Sequence, residues 1–309
     1  MAGLVSGCNP AQSVLHPAGE DAAGIARLFW VMLAGGAVVW CVVFGAAVYA
    51  ILARRKPTSE RMADLVVLGG GVVFPTLGLG ALLAYGLTLL PDWGPSDPPD
   101  LRIHVSAEQY WWRVEVEGPD GSRVETANEV VLPAGAEVDF LLTSPDVIHS
   151  FWIPPLGGKM DTIPGRENLL RLRPTKPGTY RGICTEFCGA SHAFMAFEAR
   201  VVEPDAFDTW LAAQAAPAVS AQGEEAFRAA GCGGCHTVRG VIEQGSVGPD
   251  LTHIASRATI AGILDNTSEA VRDWIVAPET FKPDARMPGY AMLPEADLDA
   301  IVTFLESLQ

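Results

Sequence analysis

The stretch Cys184-Thr185-Glu186-Phe187-Cys188-Gly189-Ala190-Ser191-His192-Ala193-Phe194-Met195 puts two thiols, an imidazole and a thioether within twelve residues. His149 lies 35 residues before Cys184. Soft sulfur with imidazole suits copper, and a weak methionine beside Cys and His marks copper electron-transfer sites. A second Cys and a second His allow two coppers bridged by two thiolates. A Cys184–Cys188 disulfide would leave His192 and Met195 unexplained. A Cys2His2 zinc site fits the ligand types but not the methionine. Core packing of Cys and Met is a third reading.

A second constellation is Cys232-Gly233-Gly234-Cys235-His236. This is the attachment motif of a c-type haem, with Cys232 and Cys235 forming thioethers and His236 an axial iron ligand. A bare CxxCH could also be a redox dithiol or half of a zinc site. Here it lies in a helical segment with a Met-Pro downstream, which favours haem. The second axial ligand must come from elsewhere, and a methionine there raises the potential. Met287 in Arg286-Met287-Pro288-Gly289-Tyr290 is the expected one, with Met292 as the alternative. His253 is expected to be a surface or packing residue.

The remaining residues must position these groups. Ile25–Ala53 holds one charge, Arg27, and Leu65–Leu90 holds none. About 20 apolar residues cross a bilayer as a helix, so both stretches are long enough. A buried core helix would usually keep a polar face. Arg54, Arg55, Lys56 and Arg61 lie between them, which puts this connector in the cytoplasm and both termini outside. Gly69–Gly71 and Pro75 are tolerable in a membrane helix when neighbouring helices satisfy the freed backbone groups. Ahead of the helices, Val5-Ser6-Gly7-Cys8 resembles the end of a lipoprotein signal without its apolar stretch, leaving Cys8 as a candidate for lipidation or an ordinary free thiol.

A Pro/Asp linker, 91–99, follows the second span, and its Trp93 suits the membrane interface. Short alternating runs then succeed one another: Leu101–Val105, Arg113–Glu117, Glu129–Leu132, Glu137–Thr143, Asn168–Arg173, Gly178–Gly182 and Ala196–Val202. They predict an antiparallel sandwich or barrel. Asp205–Gln214 predicts a closing helix, and 215–221 is an Ala/Pro linker. Residues 222–309 show helical periodicity at Glu224–Ala230, Ser268–Val276 and Glu295–Ser307, with no strand-like runs. The expected domains are an external segment 1–24, a transmembrane hairpin 25–90, an all-β domain 100–214 and an all-α domain 222–309. The net charge of −15 argues against nucleic acid as a partner.

Residues 101–214 resemble the copper domain of cytochrome oxidase subunit II. The likeness rests on Ser144-Pro145-Asp146-Val147-Ile148-His149-Ser150-Phe151-Trp152-Ile153-Pro154, on Lys159-Met160-Asp161-Thr162-Ile163-Pro164-Gly165-Arg166, and on Cys184 to Met195. With the two preceding helices it covers residues 25–214. Residues 222–309 resemble a class I cytochrome c, and the fusion matches subunit II of caa-type oxidases. The resemblance implies a cupredoxin barrel in which Cys184 and Cys188 bridge two coppers. It implies that His149, with Met195 or the carbonyl of Glu186, and His192 complete the set. The Glu186 side chain would also reach a magnesium ion shared with subunit I. The family usually has Trp-Tyr-Trp after a Gln, its first Trp taking electrons from a separate cytochrome c. Here Gln109 is followed by Tyr110-Trp111-Trp112, so Tyr110 or Trp111 is the candidate electron-entry residue.

The function so implied is electron relay in the bacterial plasma membrane. Electrons would pass from a donor such as a cytochrome c or a quinol–cytochrome c reductase complex to haem c, then copper, then subunit I. There dioxygen is reduced to water with proton pumping, and subunit III is an expected further partner. Two rival readings are the copper-bearing subunit of a nitric oxide reductase and a free-standing membrane electron carrier. Residues 222–309 carry 13 acidic and 6 basic side chains, a balance of −7 that favours a positively charged or membrane-bound donor.

Overall fold

The computed structural model describes residues 9–53, 59–90, 98–118 and 121–309. The connector residues Arg54, Arg55 and Lys56, the candidate lipidation site Cys8, and Trp93 lie outside these. The chain divides into two compact units: residues 23–97, and residues 1–22 together with 98–309.

The first unit is helical. Helix α1 spans Glu20–Leu52 and α2 spans Glu60–Leu87, and the apolar windows of both are exposed over their whole length. An all-round apolar, uncovered helix of this length is what a bilayer accommodates. Within α2, Leu65–Val73 widens to a π-helix, and the Phe74 N–H reaches back to the Gly69 carbonyl. Pro75 has no N–H and its ring crowds the turn before it, which the wider turn relieves.

Among the described residues, the barrel part of the second unit, 101–202, holds ten strands in two sheets. These are β1 (Leu101–Glu108), β2 (Trp111–Glu117), β3 (Arg123–Ala127), β4 (Glu129–Pro133), β5 (Val138–Thr143), β6 (His149–Trp152), β7 (Met160–Thr162), β8 (Asn168–Leu172), β9 (Gly178–Cys184) and β10 (Ala196–Val202). One sheet runs β3-β2-β1-β5-β8, the other β4-β10-β9-β6-β7. Alternation builds the core: Ile103, Val105 and Ala107 of β1 and Trp112, Val114 and Val116 of β2 all point inward. Trp112, Phe151 and Phe197 pack ring on ring at the centre, with centroids 4.7–5.4 Å apart. The expected antiparallel sandwich needs a correction, since β1–β5 and β4–β10 are parallel. Period-2 alternation reports which face is buried and carries no information about a neighbour's direction. The N-terminal segment ahead of α1 lies on this barrel: the Ala18 N–H donates to the Pro155 carbonyl and the Thr175 N–H to that of Ala18.

Helix α3 (Pro204–Ala215) closes the barrel. The C-terminal part packs α4 (Glu224–Ala229), α5 (Ser268–Val276), α6 (Pro278–Phe281) and α7 (Glu295–Glu306) around Phe227, Val271, Ile275, Ile301 and Phe304. Thr267 caps α5 by accepting from the Ala270 N–H. Contrary to the expectation of no strands here, Thr259–Ile260 and Leu264–Asp265 form a two-residue hairpin. It is too short for periodicity to register.

Candidate metal centre and haem cavity

Strand pairing delivers the sulfur and imidazole groups to one place. In the β6–β9 ladder Phe151 faces Cys184, so His149 at the start of β6 lies two residues from the end of β9. The Cys184 N–H donates to the Met195 carbonyl, which folds the loop 185–195 back onto its own start. His149, Cys184, Cys188 and Met195 are buried, and His192 is half-buried.

The two thiols lie 3.9 Å apart. Cys184 Sγ is 3.9 Å from His149 Nδ1 and 3.2 Å from the Glu186 carbonyl. Cys188 Sγ is 3.5 Å from His192 Nδ1 and 3.9 Å from Met195 Sδ. Each thiol is thus shared between an imidazole and a weaker donor, and the set fits two soft ions bridged by two sulfurs. The Cys184 thiol is held well below its usual value, to about 4, chiefly because the Cys188 S–H donates to it and against the opposing effect of burial. The resulting thiolate pushes Cys188 up. The Glu186 side chain is exposed, as are the rings of Phe187 and Phe194.

Asp146 was not singled out by sequence reasoning. Its carboxylate lies 2.9 Å from His149 Nε2, leaving Nδ1 toward the sulfur. It also accepts from the Gln109 and Val147 N–H groups at 2.8 and 2.7 Å. Burial alone would raise the Asp146 carboxyl, but the bonds from His149 and these two N–H groups outweigh it and hold it low. Burial likewise opposes the charging of His149, yet Cys184 and Asp146 together raise it. A carboxylate behind a ligating imidazole recurs in metal sites, where it fixes the tautomer and ring orientation. Its proximity to His149 in sequence was the available signal.

The aromatic run separates into distinct roles. Trp112 is fully buried and walls the site, its ring 6.3 Å from that of His149 and its Nε1–H donating to the Met195 carbonyl. Tyr110 is also buried, and its hydroxyl accepts from the Ala190 N–H at 3.1 Å. Trp111 is half-buried with the Arg113 guanidinium over its ring. The Gln109 amide donates to the Cys188 carbonyl.

One cavity is bordered by Cys232, Cys235, His236 and Met287 from the C-terminal part and by Gln109, Tyr110 and Trp111 from the barrel. His236 Nδ1 lies 2.8 Å from the Pro249 carbonyl, so it donates there and leaves Nε2 free to bind iron. Burial pushes the imidazolium of His236 down, favouring the neutral ligating form. Gly248 is needed beside it, since a Cβ there would stand 2.5 Å from His236 Cε1. Arg257 reaches the cavity with Nε buried and without a partner among the described residues. Lys282 also lines it, buried. A buried guanidinium on a largely apolar cavity suits the carboxylates and the macrocycle of a haem. Met292 is 76% exposed and does not border the cavity. His253 is buried rather than on the surface, bonded at both ring nitrogens to the Gln309 and Ala216 carbonyls.

A family model described as cytochrome C oxidase subunit II, periplasmic domain, matches residues 104–202, and one for cytochrome c matches residues 220–309. The chain is 33% identical over 327 aligned residues to cytochrome c oxidase subunit 2 of Alkalihalophilus pseudofirmus, covering 99% of this chain and 94% of the relative. It is 31% identical over 342 aligned residues to the subunit 2 of Bacillus subtilis, with the same coverage. A solved periplasmic domain of subunit II of cytochrome oxidase from Bradyrhizobium japonicum is 33% identical. It has a TM-score of 0.36 and covers 38% of this chain and 94% of that one. With relatives matched over nearly their whole length, this chain belongs to the cytochrome c oxidase subunit 2 family.

Proposed function

We propose that this chain is the electron-relay subunit of a terminal respiratory oxidase, taking electrons into a haem c and passing them through a dinuclear copper site to subunit I. The observation that carries the reading is the shared wall: Gln109 and Tyr110 border the haem cavity and also bond to the copper loop. In this reading Cys184 and Cys188 bridge the coppers, and His149, His192, Met195 and the Glu186 carbonyl complete them. Cys232 and Cys235 would hold the haem covalently, with His236 and Met287 as its iron ligands and Arg257 near its carboxylates. Copper and haem supply one-electron chemistry. The protein supplies fixed ligands on loops held by a barrel, so that little moves when an electron arrives.

Phe187 and Phe194 on the copper loop and Ile148 just before His149 are exposed, and such uncovered apolar side chains suit packing against another oxidase subunit. The exposed Glu186 carboxylate on the same loop is available to a magnesium ion at that contact. Both soluble domains lie on the outer side of the membrane, where c-type haem is attached. The donor is a cytochrome c or a quinol–cytochrome c reductase complex that approaches the acidic cytochrome part. A nitric oxide reductase is not favoured, because the relatives matched are oxidase subunits.

The test is metal analysis with visible and near-infrared spectra of the purified complex. Two coppers and one haem c are expected in this chain. Cys184→Ser should lose the copper signal and keep the haem, while Met287→Ala, but not Met292→Ala, should abolish the sulfur-to-iron band. One copper per chain, or a band lost with Met292, would overturn the respective assignment.

A further inference from the structure

Three bonds cross from the five-residue segment Lys282–Arg286 to the copper barrel. The Lys282 ammonium donates to the Tyr110 carbonyl at 2.7 Å. The buried Ser191 hydroxyl donates to the Pro283 carbonyl at 2.6 Å. The Arg286 guanidinium lies 3.2 Å from the Asp146 carboxylate. Each barrel partner touches the copper site: Ser191 precedes His192, Asp146 holds His149, and the Tyr110 hydroxyl receives the N–H of Ala190. The segment itself ends at Met287.

We propose that Lys282–Arg286 is a latch through which the copper barrel positions the Met287 loop, with Lys282 as the principal positioning residue. The inference rests on Met287 being the haem ligand. From Lys282 to Gly289 the backbone forms neither helix nor strand, and Asp284 sits at a positive φ of 62°. Such a stretch has little stiffness of its own, so outside anchors decide where its last residue lies. Lys282 is 3% exposed. An ammonium in that position carries a desolvation penalty that an apolar side chain of the same length would avoid. Position rather than stability is therefore what its single long-range bond supplies. The His236 side of the cavity is tied down similarly: Arg113 donates to the Ser246 carbonyl, and the Asp250 N–H donates to Glu125. Both loops that carry or support axial ligands are thereby referred to one rigid body, and transfer between haem and copper does not wait for a tethered domain to dock.

The test uses the full oxidase complex with Lys282→Met, Arg286→Gln and Arg286→Lys. The readouts are the copper near-infrared band, the temperature at which the sulfur-to-iron band is lost, and the haem-to-copper transfer rate as a function of ionic strength. Lys282→Met is expected to keep the copper band, lower that temperature, and slow transfer on the order of tenfold, as small displacements of reacting centres do. Transfer should also become salt-dependent. Arg286→Gln should act in the same direction more weakly, because the pair is partly exposed, and Arg286→Lys should recover the wild-type behaviour. An unchanged band and rate in Lys282→Met and in the Lys282→Met/Arg286→Gln double variant would overturn the latch. If Lys282→Met fails to assemble, the Arg286→Gln loss and Arg286→Lys recovery decide the matter alone. A wild-type complex without the band would fail the Met287 assignment first, and the latch with it.

Discussion

Replacing Asp146 separates the metal ligands from the residue that orients them. Its carboxylate takes the Nε2 proton of His149 at 2.9 Å and two backbone N–H groups, and it meets Arg286. Asn at this position keeps the volume and can turn its carbonyl toward Nε2, so the tautomer that leaves Nδ1 for copper survives. What it loses is charge and the second oxygen that accepts from the Gln109 N–H and Arg286, and a charge-assisted bond is roughly twice as strong as a neutral one. Outer-shell partners of metal ligands are worth about 10–100-fold in affinity. Asp146→Asn belongs at the lower end, about tenfold or ~1.4 kcal/mol. Asp146→Ala removes the acceptor from every one of these donors and belongs at the upper end, about 100-fold or ~2.7 kcal/mol. It should also destabilise the chain by about 1–3 kcal/mol for the stranded N–H groups. Copper affinity is measured by competition with a chelator, followed in the near infrared, on the full-length chain in detergent. Wild-type affinity in Asp146→Ala, or a larger loss in Asn than in Ala, would refute the reasoning.

Three further outcomes are expected. Tyr110→Phe, which a purely aromatic role would leave silent, should lower stability by about 1 kcal/mol, because the part-buried bond from the Ala190 N–H loses its acceptor; an unchanged melting temperature would show that the hydroxyl does not matter. Gly248→Ala should reduce haem content per chain while copper stays full, since the new methyl carbon would displace the His236 ring; full haem content would refute it. Burial pushes the Lys282 ammonium down to about 7, so between that value and the ordinary lysine range the unfolded chain binds the extra proton and stability rises with pH. The melting temperature of Lys282→Met should therefore exceed that of wild type by a margin that grows as pH falls from about 10 toward 7; a margin independent of pH would contradict this.

Features that short segments can express were legible in the sequence. The haem attachment motif spans five residues, and the copper loop spans twelve, because each site gathers most of its ligands from one turn of chain. Two long apolar stretches, holding a single charge in all, announced the membrane helices, and alternation marked β1, β5, β8 and β10. Strands of three to five residues such as β3, β6 and β7 escaped, being too short for a period to show. Ligand type and family resemblance suggested His149 as a partner of the thiols, but spacing could not place it beside them, because 34 intervening residues leave many closures open.

Other features required the tertiary structure. Strand direction in the β1–β5 and β4–β10 pairs, the burial of Tyr110 and the Asp146 carboxylate behind His149 are decided by packing. Lys282 meets Tyr110 across 172 positions and Arg286 meets Asp146 across 140. No local pattern encodes a contact of that separation. It forms because two cores of different class, one sheet-built and one helical, bury a common seam. That seam makes the two redox sites neighbours, whereas the sequence presents them as separate domains.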